Sequence, residues 1–205
     1  MKPFRSPLFW ALCSLAALGA ALFAKTQFHQ AFPILDQPLT MDRVAATAEA
    51  RRLASLQGWS PAEAKDATQF WHNADLTTFI ELEAGGKPNL HQLLGQGRIT
   101  PYRWQVRLYR PKDAAETLVE FSPDGRFLGF REKLPETQTA PELAQEAARS
   151  LAETKAAALG QTLQGYTLVE AKSNRVVSGR LDWSFTYERA EPLLGAGRDQ
   201  IGLVV

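Results

Sequence analysis

The chain has 205 residues, 45% hydrophobic and 22% charged, which is ordinary for a folded protein with one or two sizeable cores and excludes a disordered chain. Three of its 23 basic residues, Lys2, Arg5 and Lys25, flank an N-terminal apolar segment, leaving 20 against 22 acidic residues in the remainder. That balance removes the electrostatic case for nucleic acid, and one cysteine, Cys13, excludes internal disulfides.

In chain order, the first predicted element is "LFWALCSLAALGAALFA", Leu8 to Ala24, 17 residues without a charge. As a helix it would be ~26 Å long, at the short end of a bilayer span. Basic residues ahead of it keep that end in the cytoplasm, so the bulk is expected outside. Residues 1–25 are read as a transmembrane anchor, with a signal peptide cleaved near Gly19 and Ala21 as the alternative. A lipoprotein is not expected, because Trp10-Ala11-Leu12 before Cys13 lacks small residues. Residues 26–38, with Pro33 and Pro38, read as a linker.

Residues 39–136 are expected to form a first α+β unit. Thr40 and Asp42 open a helix to about Gln57, offering Val44, Ala45, Ala48 and Leu56 for burial. Ser60 to Glu63 reads as a capping box, and Thr68 to His72 as a strand. "DLTTFIELEAGG" predicts a helix capped by Asp75 and stopped at Gly85-Gly86, with Leu76, Phe79 and Ile80 on one side; a strand is the alternative. A short helix follows from Asn89 to Leu94. "WQVRLYR" alternates Trp104, Val106 and Leu108 against Arg103, Arg107 and Tyr109, a half-buried strand. "TLVEFSPDGRFLGF" predicts a hairpin: Leu118 to Phe121, a turn at Ser122 to Gly125, and Arg126 to Phe130.

Residues 137–205 are expected to form a second α+β unit. Thr139 and Glu142 read as a capping box with Pro141 in the first turn, Leu143, Ala147 and Leu151 recur every four residues, and Gly160 ends the helix. "WSFTYER" then repeats the earlier pattern W-x-Φ-x-Φ-x-R with Trp183, Phe185 and Tyr187. Different outward residues in the two copies imply a shared core position; Arg110 and Arg189 are expected to pair with a carboxylate or cap the sheet end, in preference to binding a ligand. Gln200 to Val205 predicts a strand corresponding to the first half of the earlier hairpin. On this reading the return strand is missing and the chain is a fragment of a longer protein.

The order of parts resembles the extracytoplasmic region of bacterial membrane proteins in the CAAX-protease and bacteriocin-processing (CPBP) family of intramembrane proteases. The resemblance rests on "FIELEAGG", "YRWQVRLYRP", "FSPDGRFLGFREKLPE" and "LDWSFTYERAEPLLGAGR". It implies two tandem PepSY-like helix-plus-antiparallel-sheet units after one transmembrane helix. A metalloprotease membrane domain would follow beyond residue 205. The family's Glu-Glu pair with a following Arg, and its membrane histidines, have no counterpart here: no adjacent Glu-Glu pair occurs, and His29, His72 and His91 lack helical ligand spacing. No catalytic, cofactor-binding or metal-binding residue is therefore assigned, and a metal ion is expected only in the protease domain. Expected partners are the membrane through residues 8–24, the chain's own membrane domain, and a peptide or envelope protein.

Chemistry within the chain finds little support. Cys13 sits in the apolar segment and no G-x-S-x-G elbow occurs. His72, Glu81, Glu83 and His91 form the one cluster worth testing for a metal, against the plainer expectation of surface histidines and solvent-facing glutamates. Gly85-Gly86 and Gly95-x-Gly97 read as helix stops and not as phosphate loops. Trp104 and Trp183 are expected in the core.

Overall fold

A computed structural model describes residues 6–59, 63–195 and 197–205, and all side chains among them except those of residues 29 and 30. Among the described residues the fold is α+β, with five α-helices and two antiparallel sheets.

Helix α1, Pro7–Ala31, begins with proline at its first turn, where a missing N–H costs nothing. Its stretch Pro7–Phe28 has a mean hydropathy of 1.9 and none of it is buried against the protein, so it is long and apolar enough to cross a membrane. A single 3-10 turn, Pro33–Asp36, links it to the folded part.

The first sheet is a meander in the order β1 (Lys65–His72), β2 (Tyr102–Tyr109), β3 (Glu116–Phe121) and β4 (Phe127–Lys133). Helix α2, Arg43–Gln57, lies on one face. The predicted alternation of β2 holds: Val106 and Leu108 are buried with Trp104 packed beside them, while Arg107 is exposed. Val119 and Phe121 from β3 complete the core beneath α2. Asp42 caps α2 by accepting from the Ala45 N–H at 2.8 Å, and Gly58 ends it in the left-handed region at φ 70°.

The burial expected for α2 is not observed. Val44 and Leu56 are 76% and 67% exposed, Ala45 and Ala48 are also exposed, and the buried stripe is Ala46, Ala50 and Ala54. Methyl side chains bring the helix axis close over the sheet, so the larger residues rotate to solvent. The expected capping box at Ser60–Glu63 lies mostly outside the described residues, but Ala64 is not helical and β1 begins at Lys65.

Between β1 and β2 are helices α3, Ala74–Glu83, and α4, Gly86–Gly95. The helix expectation for "DLTTFIELEAGG" is correct; the cap is Asn73 and not Asp75, with Asn73 Oδ1 accepting from Leu76 N at 3.1 Å. Leu76, Phe79 and Ile80 pack with Leu90, Leu93, Leu94 and Tyr102 in a second cluster. Gly85 stands between the helices at φ 96°, where an added Cβ would lie 3.0 Å from that of Asn89.

The second sheet runs β5 (Tyr166–Arg175), β6 (Leu181–Arg189) and β7 (Gln200–Val204), with helix α5, Gln145–Ala158, against it. The predicted T-x-x-E box does not cap α5. The N-cap is Ala144, without a side-chain bond, and Glu142 instead pairs with Arg175 at 2.9 Å. Its buried stripe is Ala148, Ala152 and Ala156, whereas Ala147 is exposed and Leu151 is 41% exposed, correcting the expected repeat; Leu143 does pack on the core. Gly160, at φ 79°, follows the helix end as expected. Strand β5 has no counterpart among the sequence expectations. A register shift between Leu168 and Glu170 breaks the period-two alternation that would reveal it.

The two helix-and-sheet units match in detail. Trp104 Nε1 donates to the carbonyl of Met41 and Trp183 Nε1 to that of Leu143, both at 3.0 Å, and each acceptor immediately precedes its helix N-cap. The buried alanines occupy the fourth, eighth and twelfth positions of both helices. Trp104 faces Phe121 across β2 and β3; Trp183 exchanges bonds of 2.7 and 2.9 Å with Val205 across β6 and β7.

Candidate functional site

The residues singled out for chemistry are dispersed. His72 Nε2 lies 3.1 Å from Thr77 Oγ1 and its ring stacks on Tyr102, with centroids 4.5 Å apart. His91 instead bonds through Nδ1 to Asp36 of the 3-10 turn, so it fastens the end of the linker to α4. Glu81 is half-buried near the Tyr102 hydroxyl, whose pKa is pushed up first by burial and then by that carboxylate; Glu83 is exposed. Among the described residues, no group of three or more His, Cys, Asp or Glu side chains is placed to hold a metal ion. Cys13 is exposed on α1, and the His29 side chain lies outside the described residues.

On the face of the first sheet opposite α2, Arg103 pairs with Glu120 at 3.2 Å and lies over the Trp71 ring at 5.1 Å. Arg107 donates through Nε to Glu116 at 2.6 Å and covers Tyr109 at 4.8 Å. Gln69, Gln105 and Glu120 continue the row through bonds of 2.8 and 2.7 Å. Both arginines are thus matched by carboxylates, and the face offers no basic track for a phosphate backbone. Of the two roles expected for the terminal arginines of the repeated pattern, the carboxylate pair is the one observed: Arg110 with Asp113 and Arg189 with Asp199, each at 2.7 Å. Both tryptophans are half-buried and fixed by their indole N–H groups, which makes them structural.

Two shallow clefts accompany these elements. One of about 260 Å³ lies over Gly129, between Glu120 and Arg131. Another of about 220 Å³ is lined by Gln37, Thr100, Ser122, Asp124 and Arg126. In the second, Gln37 is buried, donates to Ile99 O at 3.3 Å, and keeps an Oε1 without a hydrogen-bond partner. Asp124 is held by the Ser122 hydroxyl, which lowers its carboxyl pKa, so it forms part of the β3–β4 turn.

What remains is an edge. Strand β7 pairs with β6 and, among the described residues, with nothing on its other side, whereas the corresponding side of β3 is covered by β4. Sequence reasoning placed β7; the signal was the match between "WSFTYER" and "WQVRLYR". Compared with family models, curated proteins and solved structures, the chain matches none.

Proposed function

We propose that this chain is a membrane-anchored extracytoplasmic region of a bacterial CPBP-type intramembrane metalloprotease, regulating the protease or presenting substrate to it. Its two α+β units are PepSY-like copies of one another, and the catalytic membrane domain, with its metal ion, lies outside residues 1–205. In this reading α1 stays in the cytoplasmic membrane with its N-terminus inside, and the two sheets stand on the outer side.

The observation that carries the reading is the combination of a long apolar helix with two units that share a tryptophan-to-carbonyl bond and an alanine stripe. The proposal therefore assigns no catalytic residue to this chain. Reading the coding DNA past Val205 tests it: an open frame with several apolar spans and an adjacent Glu-Glu pair is expected, and a stop codon there would end the protease connection. External protease added to intact cells tests the orientation, which requires the sheets to be digested. A size check for loss of the first two dozen residues separates an anchor from a cleaved signal.

The open edge of β7 favours one alternative, a free-standing anchored module that binds a peptide or an envelope protein, as a protease inhibitor does. That reading requires a natural stop near Val205.

A further inference from the structure

We propose that the cleft between the linker, the end of α4 and the β3–β4 turn binds the phosphoethanolamine headgroup of a membrane lipid, whose ammonium donates to Gln37 Oε1. The inference rests on the reading of α1 as a retained membrane anchor and needs no attached protease.

The cleft, of about 220 Å³, is lined by Gln37 at the end of the linker, by Leu94 to Gly97 where α4 ends, and by Asp124 and Arg126 of the turn. Gln37 is only 8% exposed. Its Nε2 is committed to Ile99 O at 3.3 Å, and its buried Oε1 has no hydrogen-bond partner among the described residues. An amide oxygen in that state costs free energy until a donor reaches it. A single bridging water needs only ~15 Å³, so the space admits a larger donor.

Three features of the cleft select a cation. Besides Gln37 Oε1, the Asp124 carboxyl is held below its usual pKa, first by the Ser122 hydroxyl and further by the Arg126 backbone N–H and charge. Leu94 to Gly97 add the negative end of the α4 dipole. One feature selects an anion, the exposed guanidinium of Arg126. A bare divalent ion is a poor fit, because the cleft offers one carboxylate and Arg126 repels the ion. A primary ammonium joined through two carbons to a phosphate meets both signs at once: its N–H groups serve Gln37 and Asp124, and its phosphate pairs with Arg126. A choline headgroup carries the same charges without an N–H and leaves Gln37 Oε1 unpaired.

Position names the source. The apolar window of α1 ends at Phe28, and Phe32 carries the apolar surface further: the two rings lie 4.8 Å apart and each is about half exposed. Gln37 then follows through a 3-10 turn rising ~2 Å per residue. That short path brings the cleft to the level of the headgroup layer, ~5–7 Å thick on each side of the hydrocarbon.

The test uses the isotopically labelled full chain in phosphatidylcholine bicelles, read by NMR. Adding phosphatidylethanolamine should shift the Gln37 side-chain amide, Thr100 and Arg126 signals saturably, and phosphatidylglycerol should not. Gln37→Met and Arg126→Gln should each weaken the response about tenfold or more. Arg126→Gln alters an exposed side chain and should leave the unfolding midpoint near that of the parent, so it decides the matter if Gln37→Met unsettles the linker by losing the Ile99 bond. The lipid response supports the site whether or not soluble phosphoethanolamine reproduces it; a response to the soluble compound without one to the lipid overturns the membrane source. Equal shifts with phosphatidylglycerol, an undiminished response in both variants, or no shift with any probe, Oε1 then being served by water only, overturns the proposal. A full chain that fails to float with phospholipid vesicles removes the anchor reading and the site together, whereas one that floats without these shifts removes the site alone.

Discussion

Trp104 and Trp183 each combine apolar packing on a helix with an indole N–H bonded to the backbone just ahead of that helix. Cutting either to alanine should cost about 3 kcal/mol, since both rings are only half-buried, and phenylalanine should recover all but about 1 kcal/mol. Denaturant melts of the four variants check this, and an appreciable difference between the two sites would argue against equivalent positions. A second test lies at Tyr187. Its hydroxyl donates to Glu153 Oε1 at 2.6 Å and, together with Arg149, holds the Glu153 carboxyl below its usual range. A carboxylate lowered in the folded state contributes stability above its unfolded pKa, about 4.3, and loses it as pH falls through the folded value. Tyr187→Phe should therefore cost on the order of 1 kcal/mol at pH 7, raise the Glu153 pKa by NMR titration, and make the acid loss of stability shallower.

Helices α2 and α5 occupy the same place in their units but start differently. Asp42 accepts from Ala45 N, whereas Ala144 has the same extended N-cap backbone, at ψ 150°, and no acceptor. Ala144→Asp should stabilise the protein by about 1 kcal/mol and Asp42→Ala should destabilise it by a similar amount, read from unfolding midpoints. Ala50→Leu and Ala152→Leu should each cost about 1–3 kcal/mol, because the helices sit close over their sheets. These alanines also explain where sequence reading failed. A stripe of methyls has no larger apolar contrast with its neighbours, so Val44, Leu56 and Leu151 looked like the buried residues. Strands β2, β6 and β7 and the β3–β4 hairpin were legible, since aromatic and aliphatic residues alternate and Ser122-Pro123-Asp124-Gly125 marks the turn. Strand β5 was hidden by its bulge, and the start of α5 was misplaced because Glu142 engages Arg175 from outside the helix.

At the scale of the molecule, α1 packs against the 3-10 turn and its apolar window is fully open to the surroundings. The full chain should float with phospholipid vesicles, while a protein lacking residues 1–31 should stay in the aqueous phase and keep its unfolding midpoint. The span was legible from its uncharged run; the ends of the helix, extending past Lys25 to Ala31, were not, because polar residues such as Gln27 continue a helix once it is nucleated. That His72 is exposed and His91 half-buried accords with the plainer expectation of surface histidines; their partners Thr77 and Asp36 were out of reach, since these arrive from other elements.

Only Phe32 to Asp36 separate the end of α1 from buried Gln37, and Asp36 is latched to α4 through His91. Wound as a 3-10 turn, such a tether reaches ~10 Å. With α1 embedded in a bilayer, the two sheets cannot rise or tumble freely but skim the headgroups like a float on a short mooring. A partner held in the same membrane would then reach them by lateral diffusion, a two-dimensional search set by crowding at the surface.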